Sequence, residues 1–172
     1  MALAEVDVYA VLGLAVRGEH WTYRDVAASL DLPVATLHKA AQRAAEAGLF
    51  DPSRRRVRVT DLERLLVHAA PYVLPPKRLG MTIGLPTGAD APALAGRLRR
   101  SGGLPLVWPH ADGEQGEGLA PLHPSAPAAA LADPELYALL ALVDALRVGD
   151  ARVREVAAGV LVEHLAVVAA TS

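Results

Sequence analysis

Apolar residues return at three- and four-residue spacing from Val6 through Tyr9, Ala10 and Gly13 to Val16, which predicts an amphipathic first helix ending near Gly18. Thr22 followed by Asp25 has the form of a capping box with Asp in place of Glu, and it opens a second helix reaching Ser29 or Leu30. Asp31-Leu32-Pro33 breaks that helix, and Pro33 suits the first turn of a third one because its missing N–H is not needed there. The third helix, Val34–Ala47, is rich in Ala with no Gly or Pro inside it, and Gly48 closes it. Leu49-Phe50 and Arg56-Val57-Arg58-Val59 then form two short strands around a tip of Asp51-Pro52-Ser53-Arg54-Arg55. Thr60 or Asp61 caps a fourth helix running to about Ala69, which Pro71 ends.

Beyond this point the pattern changes. Eleven of the 13 prolines lie between Pro71 and Pro134, so regular helices are expected to flank an irregular or short-stranded middle. Three regions follow, 1–70, 71–133 and 134–172. In the middle, Leu104–Pro109 and Glu117–Leu122 pair as a short β-hairpin across residues 110–116, where Asp112-Gly113 supplies the turn. In the last region Asp133 caps and Pro134 starts a helix with Leu136, Leu139, Leu140, Val143 and Leu146 on one broad stripe. Asp150 caps a final helix from Ala151 with apolar residues around most of its circumference, so it is either sandwiched in a core or paired with a second subunit.

Between residues 25 and 50 the chain reads DVAASLDLPVATLHKAAQRAAEAGLF, which resembles the helix-turn-helix of bacterial winged-helix regulators of the MarR/GntR-like kind. In that pattern Val26, Leu30, Leu32, Leu37 and Ala40 hold two helices together, Ala27 sits at their crossing, and Asp31 replaces the usual turn Gly. Asp tolerates the left-handed conformation better than most residues do. The resemblance covers residues 5–70. It implies a winged helix-turn-helix over those residues; with the Pro/Gly-rich middle and its short β-hairpin and the C-terminal helical pair read from their own residues, the fold expected is mainly α. The resemblance also implies a recognition helix whose outward side chains are Thr36, His38, Lys39, Gln42 and Arg43. The residues support this independently: Leu37, Ala40, Ala41 and Ala44 can face inward, leaving those five to meet base edges and phosphates. The run Arg54, Arg55 and Arg56 resembles a wing suited to phosphates or a minor groove.

The net charge of −2 hides an uneven distribution, because residues 33–80 hold nine basic and four acidic side chains while residues 81–172 hold six and ten. Together these readings point to a sequence-specific regulator of transcription that binds double-stranded DNA. A homodimer, acting as a repressor and assembled through residues 134–172, is expected because a two-fold protein reads a two-fold site. Val153, Val160 and Val167 are the stripe expected to bury at its interface. A protein–protein adaptor built on the same winged helix is the alternative. No residue pattern assigns an effector. A second basic cluster, Arg97, Arg99 and Arg100, reads as a solvated loop that could also touch DNA backbone.

No chemistry of another class is suggested. The chain has no cysteine, so thiolate catalysis, Cys-based zinc sites and disulfides are excluded. His110, Asp112 and His123 have metal-compatible side chains but no metal-motif spacing, and GLPTGADAP lacks the Gly-Lys-Ser/Thr ending of a phosphate loop. With no Gly-x-Ser-x-Gly either, neither an enzyme nor a cofactor is expected. Trp108 reads as a hydrophobic anchor. The apolar runs are too short to cross a membrane, and the acidic residues ahead of the first one argue against a secretory signal, so a cytoplasmic protein is expected.

Overall fold

The computed structural model describes residues 2–99 and 102–170. In chain order these form α1 (Glu5–Ala15), α2 (Tyr23–Leu30), α3 (Val34–Glu46), β1 (Phe50–Asp51), β2 (Arg56–Val57), α4 (Val59–Val73), β3 (Arg78–Pro86), β4 (Leu106–Pro109), β5 (Glu114–Leu119), α5 (Ala126–Ala132), α6 (Pro134–Val148) and α7 (Ala151–Ala170). The fold is mixed α/β and mostly helical, with seven helices and small sheets among the described residues. One continuous apolar core runs through it, from Val8 in α1 to Leu165 in α7.

Local chemistry explains several helix ends. The Thr22 hydroxyl accepts the N–H of Asp25 at 3.1 Å and starts α2. Asp31 ends it in the left-handed region, φ 51° and ψ 52°, with the Leu32 N–H closing onto the Ala27 carbonyl at 2.9 Å. Gly48 does the same after α3 at φ 81°. Asp133 accepts the N–H groups of Glu135 and Leu136 at the head of α6, and Asp150 accepts that of Val153 at the head of α7.

Three readings need correction at this level. The first helix is not amphipathic: from Asp7 to Ala15 every residue is buried, and the helix ends at Ala15, three residues short of Gly18. It is a central helix, packed against α3 and α6, so it needs an apolar surface all round. The fourth helix starts at Val59, ahead of both proposed caps, and continues through Pro71 to Val73. Proline there removes one hydrogen bond in the last turn, and the Leu74 N–H still reaches the Ala70 carbonyl at 2.9 Å. Val153, Val160 and Val167 do not form one open stripe: Val160 is buried in the chain's own core, Val153 is partly buried, and Val167 is exposed.

The middle region departs furthest from expectation. No hairpin joins residues 104–109 to 117–122. Instead β3, unforeseen in the sequence, pairs antiparallel with both β4 and β5, and the latter two run parallel to each other where Leu106 meets Glu117 and Val107 meets Gly118. The three strands close into a small barrel. Gly84 lies opposite both Pro109 and Glu114, and a Cβ on it would collide with the Trp108 carbonyl, so the crossing requires glycine. Val107, Trp108 and Leu119 turn into the core.

A buried polar network ties the barrel to the helices. Asp144 of α6 accepts from the Thr87 hydroxyl and the Trp108 indole N–H, both at 2.7 Å, and from Arg147 Nε at 2.9 Å. Arg147 in turn donates to the carbonyls of Leu74 and Ala120. Burial pushes the Asp144 carboxyl above the usual carboxylate range, while Arg147, Thr87 and Trp108 pull it back. The indole of Trp108 is therefore anchored by more than its apolar surface.

Candidate nucleic-acid interface

The site is built on α3 and the β1–β2 ribbon. On α3, Leu37, Ala40, Ala41 and Ala44 are buried, which fixes the opposite side as the outward one. His38, Lys39 and Gln42 are exposed there, and Thr36 is half-buried. No ion pair among the described residues involves Lys39, so its ammonium is available to an anion.

Arg43 behaves differently. Its guanidinium forks onto the carboxylate of Asp7, with Nε within 2.8 Å and 2.9 Å of the two oxygens and a terminal nitrogen at 2.7 Å. Asp7 is fully buried in α1 and also accepts the Ala4 N–H at 2.8 Å. The hydrogen bond to Asp7 raises the Arg43 pKa further above its ordinary value. Arg43 thus joins α3 to α1, and its side chain is only a quarter exposed.

The ribbon tip is organised by Asp51. Its Oδ1 accepts the Ser53 hydroxyl at 2.6 Å and the N–H groups of Ser53 and Arg54, and these bonds, the Ser53 hydroxyl first, hold its carboxyl below the usual range. Arg54 stands out from this tip with its side chain 81% exposed, and Arg58 is also largely exposed; both lie near 4 Å from Asp51, at 3.9 Å and 3.8 Å. Surface pairs of that length contribute little and give way readily to a stronger anion.

Arg55 and Arg56 are turned back toward the chain. Arg56 pairs with Glu19. Arg55, at φ 53°, donates to the Trp21 carbonyl at 2.6 Å and lies 4.3 Å above the Trp21 ring. Trp21 meets Tyr23 edge-on with centroids 5.0 Å apart, and Tyr23 packs against His38 at 3.9 Å. A continuous track of Arg55, Trp21, Tyr23 and His38 therefore couples the ribbon to the outward face of α3. Reading the sequence missed Trp21, Tyr23, Arg58 and Asp7. The Trp-Thr-Tyr run just ahead of α2 was the visible signal for the first two, whereas nothing local marks Asp7 as the partner of a residue 36 positions away.

The other residues singled out earlier are not gathered here. Arg97 pairs with Glu163 at 2.9 Å, and Arg100 lies outside the described residues. His110 accepts the Asp112 N–H within one turn, while His123 stacks on Tyr9 with centroids 5.5 Å apart and shares a hydrogen bond with Ser125. Among the described residues no group of three or more His, Cys, Asp or Glu could hold a metal ion, and no helix is long and apolar enough to cross a membrane. Comparison with protein-family models, curated proteins and solved structures found no match.

Proposed function

We propose that residues 5–73 act as a winged-helix unit and that the chain is a sequence-specific regulator of transcription binding double-stranded DNA. The observation that carries this reading is the joint presentation of two groups. His38, Lys39 and Gln42 face outward on α3, and Arg54 and Arg58 extend from the adjoining ribbon, with the aromatic track holding helix and ribbon together. A helix of this length fits the major groove, where Gln42 is suited to a base edge, while Lys39, Arg54 and Arg58 are suited to phosphates. Arg43, Arg55 and Arg56 then serve as struts that set the position of the reading surface.

The same struts favour a second reading. With Arg43, Arg55 and Arg56 engaged by Asp7, Trp21 and Glu19, fewer cations remain for phosphates than the sequence offers, which suits a protein–protein adaptor. Fluorescence polarisation on duplexes from the region upstream of the protein's own coding sequence, set against random duplexes at two salt concentrations, separates the two. Three phosphate contacts predict a log–log salt slope of about −3, with tighter binding to the preferred duplex. Absence of salt-sensitive binding would overturn the DNA reading in favour of the adaptor.

A further inference from the structure

The four longer side chains that α3 turns toward the proposed DNA face are not equivalent. At about 100° per residue, Lys39 and Gln42 occupy the middle of the outward side, with His38 on one flank and Arg43 on the other. Arg43 is fixed in place, but its guanidinium is spent on Asp7. Lys39 and Gln42 have free polar ends, yet no hydrogen bond, ion pair or ring contact among the described residues holds either side chain. Each must be ordered by whatever it binds, at a cost in rotamer freedom. Only His38 is both held and unspent. It is exposed, its ring lies 3.9 Å from that of Tyr23 with 30° between the planes, and among the described residues nothing hydrogen-bonds or ion-pairs with its nitrogens.

The hold on His38 reaches into the core. Tyr23 meets Trp21 edge-on at 5.0 Å, and Trp21 in turn packs on the buried ring of Phe50 at 6.3 Å. The Arg55 guanidinium closes the stack from the ribbon side, 4.3 Å from the Trp21 ring and 5.7 Å from that of Tyr23. A face-on contact covers one side of the imidazole and leaves open the ring edge, where both nitrogens lie. The direction of its N–H is therefore set before any ligand arrives. The Tyr23 hydroxyl makes no hydrogen bond among the described residues, so the ring of Tyr23 does the holding. The carboxylates of these two helices, Asp25 on α2 and Glu46 on α3, are exposed, and neither pairs with His38.

We infer that His38 is a specificity-determining residue of this surface, that Tyr23 positions it, and that the base it reads is guanine. The inference rests on the DNA reading given above and names a base which that reading leaves open. In the major groove guanine presents two acceptors side by side, N7 and O6. Adenine sets a donor beside its N7, cytosine presents a donor, and thymine offers a single acceptor beside a methyl group. An imidazole N–H of fixed direction meets an acceptor at either guanine position and is opposed by no donor there.

The test selects duplexes bound by the full chain from a pool with about 12 randomised base pairs, then measures polarisation on selected and random duplexes at two salt concentrations. The unmodified chain is expected to select guanine at one position. Replacing that guanine by 7-deazaguanine, which lacks the N7 acceptor, should weaken binding about tenfold, the loss of one good base contact. His38→Ala should abolish both the selection and the 7-deazaguanine effect, with affinity for random duplexes and the salt slope unchanged. Tyr23→Phe keeps the ring and should retain the selection. Tyr23→Leu keeps bulk without a ring and should reduce the guanine preference at least threefold at the same salt slope, a change that mere loss of stability does not produce. Circular dichroism checks each fold, and should Tyr23→Leu fail to fold, the exposed His38→Ala decides alone. Guanine selection that survives His38→Ala overturns the proposal, as does an equal 7-deazaguanine loss in that variant and the unmodified chain. An undiminished preference in a folded Tyr23→Leu overturns the role of Tyr23. Salt-sensitive binding without guanine selection overturns the proposal and leaves the DNA reading standing, whereas no salt-sensitive binding to any duplex overturns both.

Discussion

In residues 5–73 the exposed side chains of α3 include His38, Lys39 and Gln42, whereas those of β3 include Leu79, Met81 and Ile83. Each region also buries one carboxylate beside an arginine, and the two pairs are built differently. Asp7 is met by Arg43 arriving from a partly exposed helix face, so water still reaches one partner. Asp144 and Arg147 are enclosed together and spend their remaining bonding capacity on Thr87, Trp108, Leu74 and Ala120. The first pair adjusts one helix against another. The second joins strands, loops and helices that share no local periodicity, and so carries more of the fold.

The comparison is tested most severely at Asp144. Asp144→Ala leaves the buried Arg147 with only the half-exposed carboxylate of Glu5, 3.9 Å away, and is expected to cost about 3 kcal/mol in urea unfolding. Asp7→Ala should cost less, about 2 kcal/mol, because Arg43 can turn to water. Equal losses would show that enclosure does not separate the two pairs.

The backbone crossing of the barrel comes next. Gly84→Ala drives a methyl group into the Trp108 carbonyl and should cost about 3 kcal/mol, whereas Gly48→Ala meets open space and carries only the strain of its φ of 81°, about 1 kcal/mol. Thermal melts of the two variants rank them directly. A smaller effect at Gly84 would mean that the strands can part at little cost.

Within the proposed interface the arginines divide by role. Arg55→Lys keeps the charge but loses the planar stack on Trp21, and should lower stability by about 1 kcal/mol while leaving the salt slope of DNA binding unchanged. Arg54→Ala should leave stability alone and flatten that slope by about 0.9. If the two variants exchange these effects, the assignment of strut and phosphate contact is reversed.

The smallest effect expected is a pH dependence at His123. Burial lowers its pKa below the ordinary histidine value, with Asp31 opposing weakly. Since the folded state binds the proton less readily than the unfolded one, the contribution is present above about pH 6.5 and is lost as pH falls through the depressed value. Unfolding midpoints measured between about pH 7 and 5 should fall more for the unmodified chain than for His123→Gln. Parallel curves would remove His123 from the account.

The starts of α2, α6 and α7, the end of α2 and the buried face of α3 could be read from the sequence because their determinants lie within a turn of one another. The cap at Thr22, the left-handed Asp31, the inward set Leu37, Ala40, Ala41 and Ala44, and the caps at Asp133 and Asp150 all act over three or four residues. Spacing alone therefore sufficed to place them. The outward face of α3 followed as the complement of its buried one. What each outward side chain does was not legible in the same way, because Arg43 and Arg55 find partners 36 and 34 residues away.

Tertiary structure alone decided the rest. Whether α1 is a surface helix or a central one depends on what packs against its second side, and Val160 went to the core for the same reason. The pairing of β3 with both β4 and β5 was hidden because strand order is set by contacts between distant residues, and glycines at the crossing read equally well as turn signals. A local pattern states which face of an element is apolar. Only the assembled chain determines whether its own residues cover that face, as they do for α7 at Val160, or leave it open, as they do for β3 at Met81.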